Sequence, residues 1–243
     1  FLFLFMKIAL LGYGKMGHII EEIALQRKHE IILRINDENL NELTTENIQK
    51  ADVAIEFTNP QSAVDNILFC LDHNVAVVCG TTGWLSQLKK IEERCKEVNG
   101  TFLYASNFSV GVNIFFEINK KLTSMVKTHP GYDVSIEEIH HTQKKDAPSG
   151  TAITLAEQII NEAGKKNKWV NNKSENKNEL SIISKRIDEV PGTHSVKYFS
   201  NIDDIEIIHT AHNREGFAEG AVLAAEFIKD KKGIFSMKDV LGF

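Results

Sequence analysis

Short apolar runs alternate with amphipathic stretches through the N-terminal part of this chain. Lys7–Leu11 is nearly all apolar and stops at Gly12. Met16, Ile19, Ile20, Ile23 and Ala24 then recur at the i, i+3, i+4 spacing of a helix with one buried face. Further strands are expected at Glu30–Ile35 and over residues 52–57, 75–79 and 101–105, with helices over 60–73 and 85–98 between them. Asn59-Pro60 supplies a cap followed by proline at the first helical position. Strands that lack polar alternation and alternate with helices predict a parallel sheet covered on both faces.

The rhythm changes after Asn107. A helix over 111–127, an alternating strand over 132–139 and a helix over 149–163 lead into residues 164–177. That segment is rich in Lys and Asn without apolar periodicity and predicts a solvated loop. Strand-like runs follow over 179–187, 194–199 and 205–211 with no helix between them, the mark of an antiparallel or mixed sheet with one open face. Helices over 217–229 and Met237–Leu241 end the chain. The expectation is an α/β protein of two domains, residues 6–107 with about 216–243 and an inserted α+β domain over about 108–215. Hinges near Asn107 and Arg214-Glu215-Gly216 would let such domains close.

Chemistry enters at the strand ends. Gly12-Tyr13-Gly14-Lys15-Met16-Gly17 is a G-x-G-x-x-G sequence that follows a predicted strand and opens a predicted helix. In that setting Gly12 permits the tight turn, Gly14 lets a pyrophosphate approach the backbone, and Gly17 allows close packing of helix on strand. The first domain is accordingly expected to be of the Rossmann type, the alternative being a glycine turn that binds nothing. The second strand ends at Asn36-Asp37-Glu38, where Asp37 can accept hydrogen bonds from an adenosine ribose. Phe57-Thr58-Asn59-Pro60, Gly80-Thr81-Thr82-Gly83 and Ala105-Ser106-Asn107-Phe108 occupy the same carboxyl edge. Each can be a cofactor contact or plain turn chemistry.

The densest chemistry lies in His140-His141-Thr142-Gln143-Lys144-Lys145-Asp146-Ala147-Pro148-Ser149-Gly150-Thr151. Two imidazoles that can exchange protons near neutral pH precede two lysines and a turn that opens a helix. A helix start and nearby ammonium groups suit a small carboxylate. The competing reading is a solvated cationic loop. His209-Thr210-Ala211-His212 lacks a convincing third ligand and reads as a strand with a packed histidine, so no metal site is expected; His18, His29, His73, His129 and His194 have no special context.

Charge and cysteines narrow the class. Lys and Arg number 28 against 33 Asp and Glu, a net charge of −5 that argues against a nucleic-acid partner. Cys70, Cys79 and Cys95 are too scattered for a disulfide framework and read as buried free thiols. The opening Phe1-Leu2-Phe3-Leu4-Phe5 lacks the flanks of a signal peptide and is too short to span a bilayer. Met6 reads as the natural start, and a cytoplasmic protein with no membrane partner is expected.

Glu138 to Ala152, ending in Lys-Asp-Ala-Pro-Ser-Gly-Thr-Ala, resembles the signature of the dihydrodipicolinate reductase family. The glycine fingerprint, Phe-Thr-x-Pro, Gly-Thr-Thr-Gly and the Asn107–Asn113 segment stand in that family's order, so the resemblance covers the chain from Met6 onward. Lys15-Met16 where Arg-Met is frequent, and Ser106 where proline is common, are departures outside the His-Lys loop. The resemblance implies a lysine and diaminopimelate biosynthesis enzyme that reduces 4-hydroxy-tetrahydrodipicolinate to tetrahydrodipicolinate with NADH or NADPH, usually as a cytoplasmic homotetramer joined through its C-terminal sheet. It makes His140 and Lys144 the catalytic pair, and His141, Gly150 and Thr151 the substrate-carboxylate contacts. It assigns the dinucleotide to Gly12, Tyr13, Gly14, Lys15, Met16, Gly17, Asp37, Phe57, Thr58, Gly80, Thr81, Thr82, Ala105, Ser106, Asn107 and Phe108. The rivals are a two-domain semialdehyde or homoserine dehydrogenase and a non-catalytic nicotinamide sensor.

Overall fold

The computed structural model describes residues 5–243, so Phe1–Leu4 of the opening apolar run lie outside the described residues. Two compact units emerge, one running up to Val110 and resuming at Arg214–Phe243, the other Gly111–Asn213.

The first unit carries strands β1 (Lys7–Leu11), β2 (Glu30–Ile35), β3 (Val53–Glu56), β4 (Ala76–Cys79) and β5 (Thr101–Tyr104). Between them lie helices α1 (Lys15–Gln26), α2 (Thr45–Ile48), α3 (Pro60–Asp72) and α4 (Leu88–Glu97). The sheet is parallel in every recorded pairing, in the order β2-β1-β3-β4-β5, which is the Rossmann-type arrangement expected. Its central strands β3 and β4 are buried at every position, because helices cover both faces and leave no side for polar residues. Asn59 caps α3, its side chain accepting from the amides of Gln61 and Ser62, with Pro60 at the first position.

The second unit contains α5 (Val110–Val126, whose first residue belongs to the other unit), β6 (Asp133–His140), α6 (Gly150–Ala163), β7 (Lys168–Val170), β8 (Glu179–Arg186), β9 (Gly192–Phe199) and β10 (Asp204–Ala211). The order is β10-β9-β6-β8-β7, with β6 parallel to β8 and antiparallel to β9, so the sheet is mixed. β6 buries every second residue, and its core partners include Leu155 and Ile159 of α6 and Phe115 and Phe116 of α5. β10 is exposed along most of its length.

One loop expectation fails here. Residues 164–177 contain β7, a three-residue edge strand with Trp169 opposite Leu180, and Lys166 is buried against Asp133 at 2.6 Å. Three residues are too few to show a periodicity, and the pairing partner lies in a later segment.

The chain then returns to the first unit as α7 (Glu215–Ile228), β11 (Gly233–Phe235) and α8 (Met237–Leu241). β11 adds a sixth parallel strand beside β5, which the sequence did not reveal. α7 is fixed to the α1–β2 segment by Glu226, which takes a two-pronged pair from Arg27 at 2.8 and 2.7 Å and contacts His29 at 2.8 Å. Residues far apart in the chain thus complete a single core.

Candidate functional site

The first unit holds a cleft of about 470 Å³ at the carboxyl ends of its strands, lined by Gly14, Lys15, Met16, Phe57, Thr58, Pro60, Gly80, Thr81 and Thr82. Gly12 makes the turn into it with φ +98°, and a side chain there would strike the Phe57 carbonyl. Gly17 lets α1 approach, since an added Cβ would lie 2.5 Å from the Gly12 carbonyl oxygen. Gly14, by contrast, faces open space, as a backbone approached by a phosphate requires.

Thr58 of this lining is held by Glu56, the fully buried last residue of β3. Its carboxylate accepts from the Thr58 amide at 3.1 Å, from the Thr58 hydroxyl, and from the Cys79 thiol at 3.0 Å. Thr81 Oγ1 accepts from the same Thr58 amide at 2.8 Å, which joins the loops after β3 and β4. Burial and the neighbouring Glu56 push the Cys79 thiol well above its ordinary range, so it is inert.

Other expected dinucleotide residues stand apart from this lining. Asp37 is exposed at the turn after β2. Tyr13 donates to Glu21 and has the Arg34 guanidinium 5.9 Å from its ring centre. Ala105, Ser106 and Asn107 follow β5, and Phe108 is buried with its ring 5.7 Å from that of Phe57.

The second unit gathers the His-Lys loop at the carboxyl end of β6. His140 is buried, His141 and Lys144 are half-buried, and Gly150 and Thr151 form the first turn of α6. Ser149 caps that helix, accepting the Ala152 amide at 3.3 Å, and the first-turn amides point out of the helix end. Lys144 Nζ lies 2.8 Å from Asp146. Burial works to raise the Asp146 carboxyl, but the lysine outweighs it and holds it below its ordinary value.

Three residues that the sequence reading passed over complete this site. Glu138 is fully buried, His194 of β9 stands directly opposite it, and Arg186 of β8 stands opposite His140. Glu138 accepts from the Ser149 amide at 3.1 Å and from Arg186 at 3.2 Å. Burial alone would raise its carboxyl; contacts with His140, Ser149 and Ser184 reverse that and hold it far below the carboxylate range. His194 Nε2 is 2.9 Å from Ser149 Oγ, and burial, then the nearby His140, pushes its pKa down to about 3. Neutral His194 keeps one N–H and one lone pair, so Nε2 shares a hydrogen bond with the Ser149 hydroxyl whose direction is set by the tautomer.

One ligand atom each from Glu138, His140 and His194 falls within 4.8 Å of the other two. Although no metal was expected, the grouping has the reach of a metal site. The donor chemistry disfavours one, because Arg186 already places a fixed positive charge on Glu138 and Ser149 engages His194.

The chain matches family models described as dihydrodipicolinate reductase, N-terminus, over residues 6–108, and dihydrodipicolinate reductase, C-terminus, over residues 111–241. It is 53% identical to a 4-hydroxy-tetrahydrodipicolinate reductase of Christiangramia forsetii, across 97% of this chain and 98% of that one. Its identity to the enzyme of that name from Methanocaldococcus jannaschii is 36%, across 96% and 81%. A solved dipicolinate-bound dihydrodipicolinate reductase from Paenisporosarcina shares the fold with a TM-score of 0.77, at 23% identity and across 97% and 99% of the two chains.

The buried His194 has a measurable consequence. Below pH ~6.5 the unfolded chain takes up a proton at this imidazole. The folded protein refuses that proton until about pH 3. Stability should therefore fall as pH drops through this window, by at most about 1.4 kcal/mol per pH unit from this group. Urea melts at pH 7, 6 and 5 should show a shallower decline for His194→Gln than for the parent. Identical slopes would mean that His194 is not held neutral.

Proposed function

The chain belongs to the dihydrodipicolinate reductase family, and from that premise we propose how its two units divide an NAD(P)H-dependent reduction of 4-hydroxy-tetrahydrodipicolinate to tetrahydrodipicolinate. The first unit takes the dinucleotide in the glycine-lined cleft, and the second takes the dicarboxylate at the His-Lys loop. What carries the reading is the convergence, at the end of β6, of a buried imidazole, a lysine and a capped helix start. The dehydrogenase and sensor alternatives account for neither matched half of the chain.

Within this reading Lys144, His141 and the first-turn amides of α6, at Gly150 and Thr151, bind and orient the substrate carboxylates. When bound, the reduced nicotinamide supplies a hydride to ring C4 after loss of water. The remaining task is a proton for C3, which Lys144 and His140 deliver and hold. Gly14, Lys15 and Met16, with Phe57, Thr58 and Gly80–Thr82, line the space for the cofactor, and Gly12 and Gly17 shape its turn. Tyr13, Asp37 and Ala105–Phe108 complete the proposed contacts. The exposed apolar side chains Phe199, Ile205 and Ile208 along β9 and β10 support assembly of the second unit into a homotetramer. We place the enzyme in the cytoplasm, with the precursors of the pathway. No helix among the described residues is long and apolar enough to cross a membrane.

Three measurements test the proposal. In an assay that couples dihydrodipicolinate synthase to loss of nicotinamide absorbance, Lys144→Ala should abolish turnover and leave dinucleotide affinity nearly intact. His140→Ala should lower the rate on the order of a hundredfold. Near-full turnover in both variants would remove the loop from the chemistry.

Cofactor choice follows from the charge after β2. Arg34, two residues before Asn36 on that strand, is committed to Glu21 through its Nε at 2.9 Å and also through Nη2, whereas Asp37 is exposed. A 2′-phosphate needs a cation there and a free ribose hydroxyl favours an acid. NADH should therefore serve at least as well as NADPH by apparent kcat/KM, and a tenfold preference for NADPH would overturn the assignment.

Sedimentation velocity at micromolar concentration should give a tetramer that Ile208→Glu dissociates. A monomeric parent protein would refute the assembly.

A further inference from the structure

His140 sits in a seat built on three sides. Its Nδ1 lies 3.2 Å from Glu138 Oε2, and the approach is oblique. Its ring stands edge-on to His194, with ring centres 5.0 Å apart. On its Nε2 side is Gly192, where an added Cβ would come within 3.1 Å of the nitrogen. Nδ1 is enclosed and makes no hydrogen bond of good geometry, and the Glu138 carboxylate at 3.2 Å is the acceptor within its reach.

Glu138 holds more than the imidazole. Its Oε2 accepts the Ser149 amide, which fixes the start of α6, the element carrying Gly150 and Thr151. Its Oε1 holds Arg186, and Arg186 Nη2 also donates to the Asp146 carbonyl at 2.6 Å. Asp146 in turn pairs with Lys144. One buried carboxylate thus reaches the imidazole, the helix start and the lysine loop through a single shell of contacts.

We propose that Glu138 is the positioning residue of this site. Its carboxylate accepts the Nδ1 proton of His140, fixes the ring in the tautomer whose Nε2 carries the lone pair, and ties the substrate helix and the Lys144 loop to the same anchor. Around the imidazole, Glu138 of β6 and His194 of β9 contact or face the ring and Arg186 of β8 is its register partner, while Lys144 and Asp146 pair in the loop that follows. Glu138 is the one that contacts the ring at Nδ1. The inference rests on the reading of His140 and Lys144 given above.

The direct test is the ring-nitrogen ¹⁵N spectrum of His140 in the full-length protein at pH 8, assigned by comparison with His140→Gln. It should show a proton on Nδ1; a proton on Nε2 in the parent protein overturns the proposal. Glu138→Gln keeps the volume and removes the charge. It should lower kcat by about thirtyfold or more, the scale on which supporting partners of reactive groups act. KM should rise as the substrate helix and the Lys144 loop lose their shared anchor, NADH affinity should stay within threefold, and the tautomer signal should become mixed. Glu138→Asp, which restores the charge at shorter reach, should recover part of the lost kcat. A Glu138→Gln enzyme within threefold of the parent kcat would also overturn it. If that variant fails to fold, the parent spectrum alone decides. Parent protein without reductase turnover would instead refute the functional reading, so the two failures are distinct.

Discussion

A carboxylate with no exposed surface needs hydrogen bonds to replace lost water and is held more firmly where a countercharge joins them, and Glu138 receives both. The groups that compensate it are parts of the candidate site rather than bystanders. Arg186 and the Ser149 amide cannot move away without stranding the charge, and a stranded buried charge costs on the order of 3–5 kcal/mol. The carboxylate therefore enforces the arrangement of β8, the loop and α6 around β6. Placement of the reactive groups and stability of the second unit draw on the same contacts.

The first unit uses the same device with a different outcome. Glu56 ends a parallel strand, is likewise fully buried, and also accepts an amide of the loop that follows. Its other recorded partners are hydroxyl and thiol groups, not a guanidinium. Through these uncharged partners Glu56 orders Thr58, a residue of the cleft lining. Glu138, with Arg186 beside it, orders a loop that must manage charge. Strand ends are suited to such anchors, because the sheet supplies a rigid acceptor and the departing loop supplies unpaired amides.

What could be read from the sequence was local. The spacing of Ile19, Ile20, Ile23 and Ala24 gives a helix face directly, and Asn59-Pro60 gives a helix start, since each depends on residues within one or two turns. The His-Lys loop was legible for the same reason. His194 and Arg186 were not, because their roles arise from strand register: β9 and β8 flank β6 and bring residues 194 and 186 beside 138 and 140. No periodicity encodes that alignment. Glu138 stood within the recognised stretch, yet only the neighbouring strands show that it is buried. β7 and β11 escaped notice because each has three residues and takes its identity from a partner strand.

The proposed substrate contacts also explain why the lysine is paired before substrate arrives. Lys144 is largely shielded, with 22% of its side chain exposed, and an unpaired ammonium there would lose hydration. Asp146 meets it, but that carboxylate is 60% exposed. A pair with one partner so open to water is worth no more than about 1 kcal/mol. A substrate carboxylate bound at the start of α6 can therefore take the ammonium from Asp146 at little expense, while Asp146 returns to solvent. The Asp146 carbonyl remains held by Arg186, so the exchange need not dismantle the loop. Lys144 is thus kept near its place by a weak partner, on a backbone fixed by a strong one.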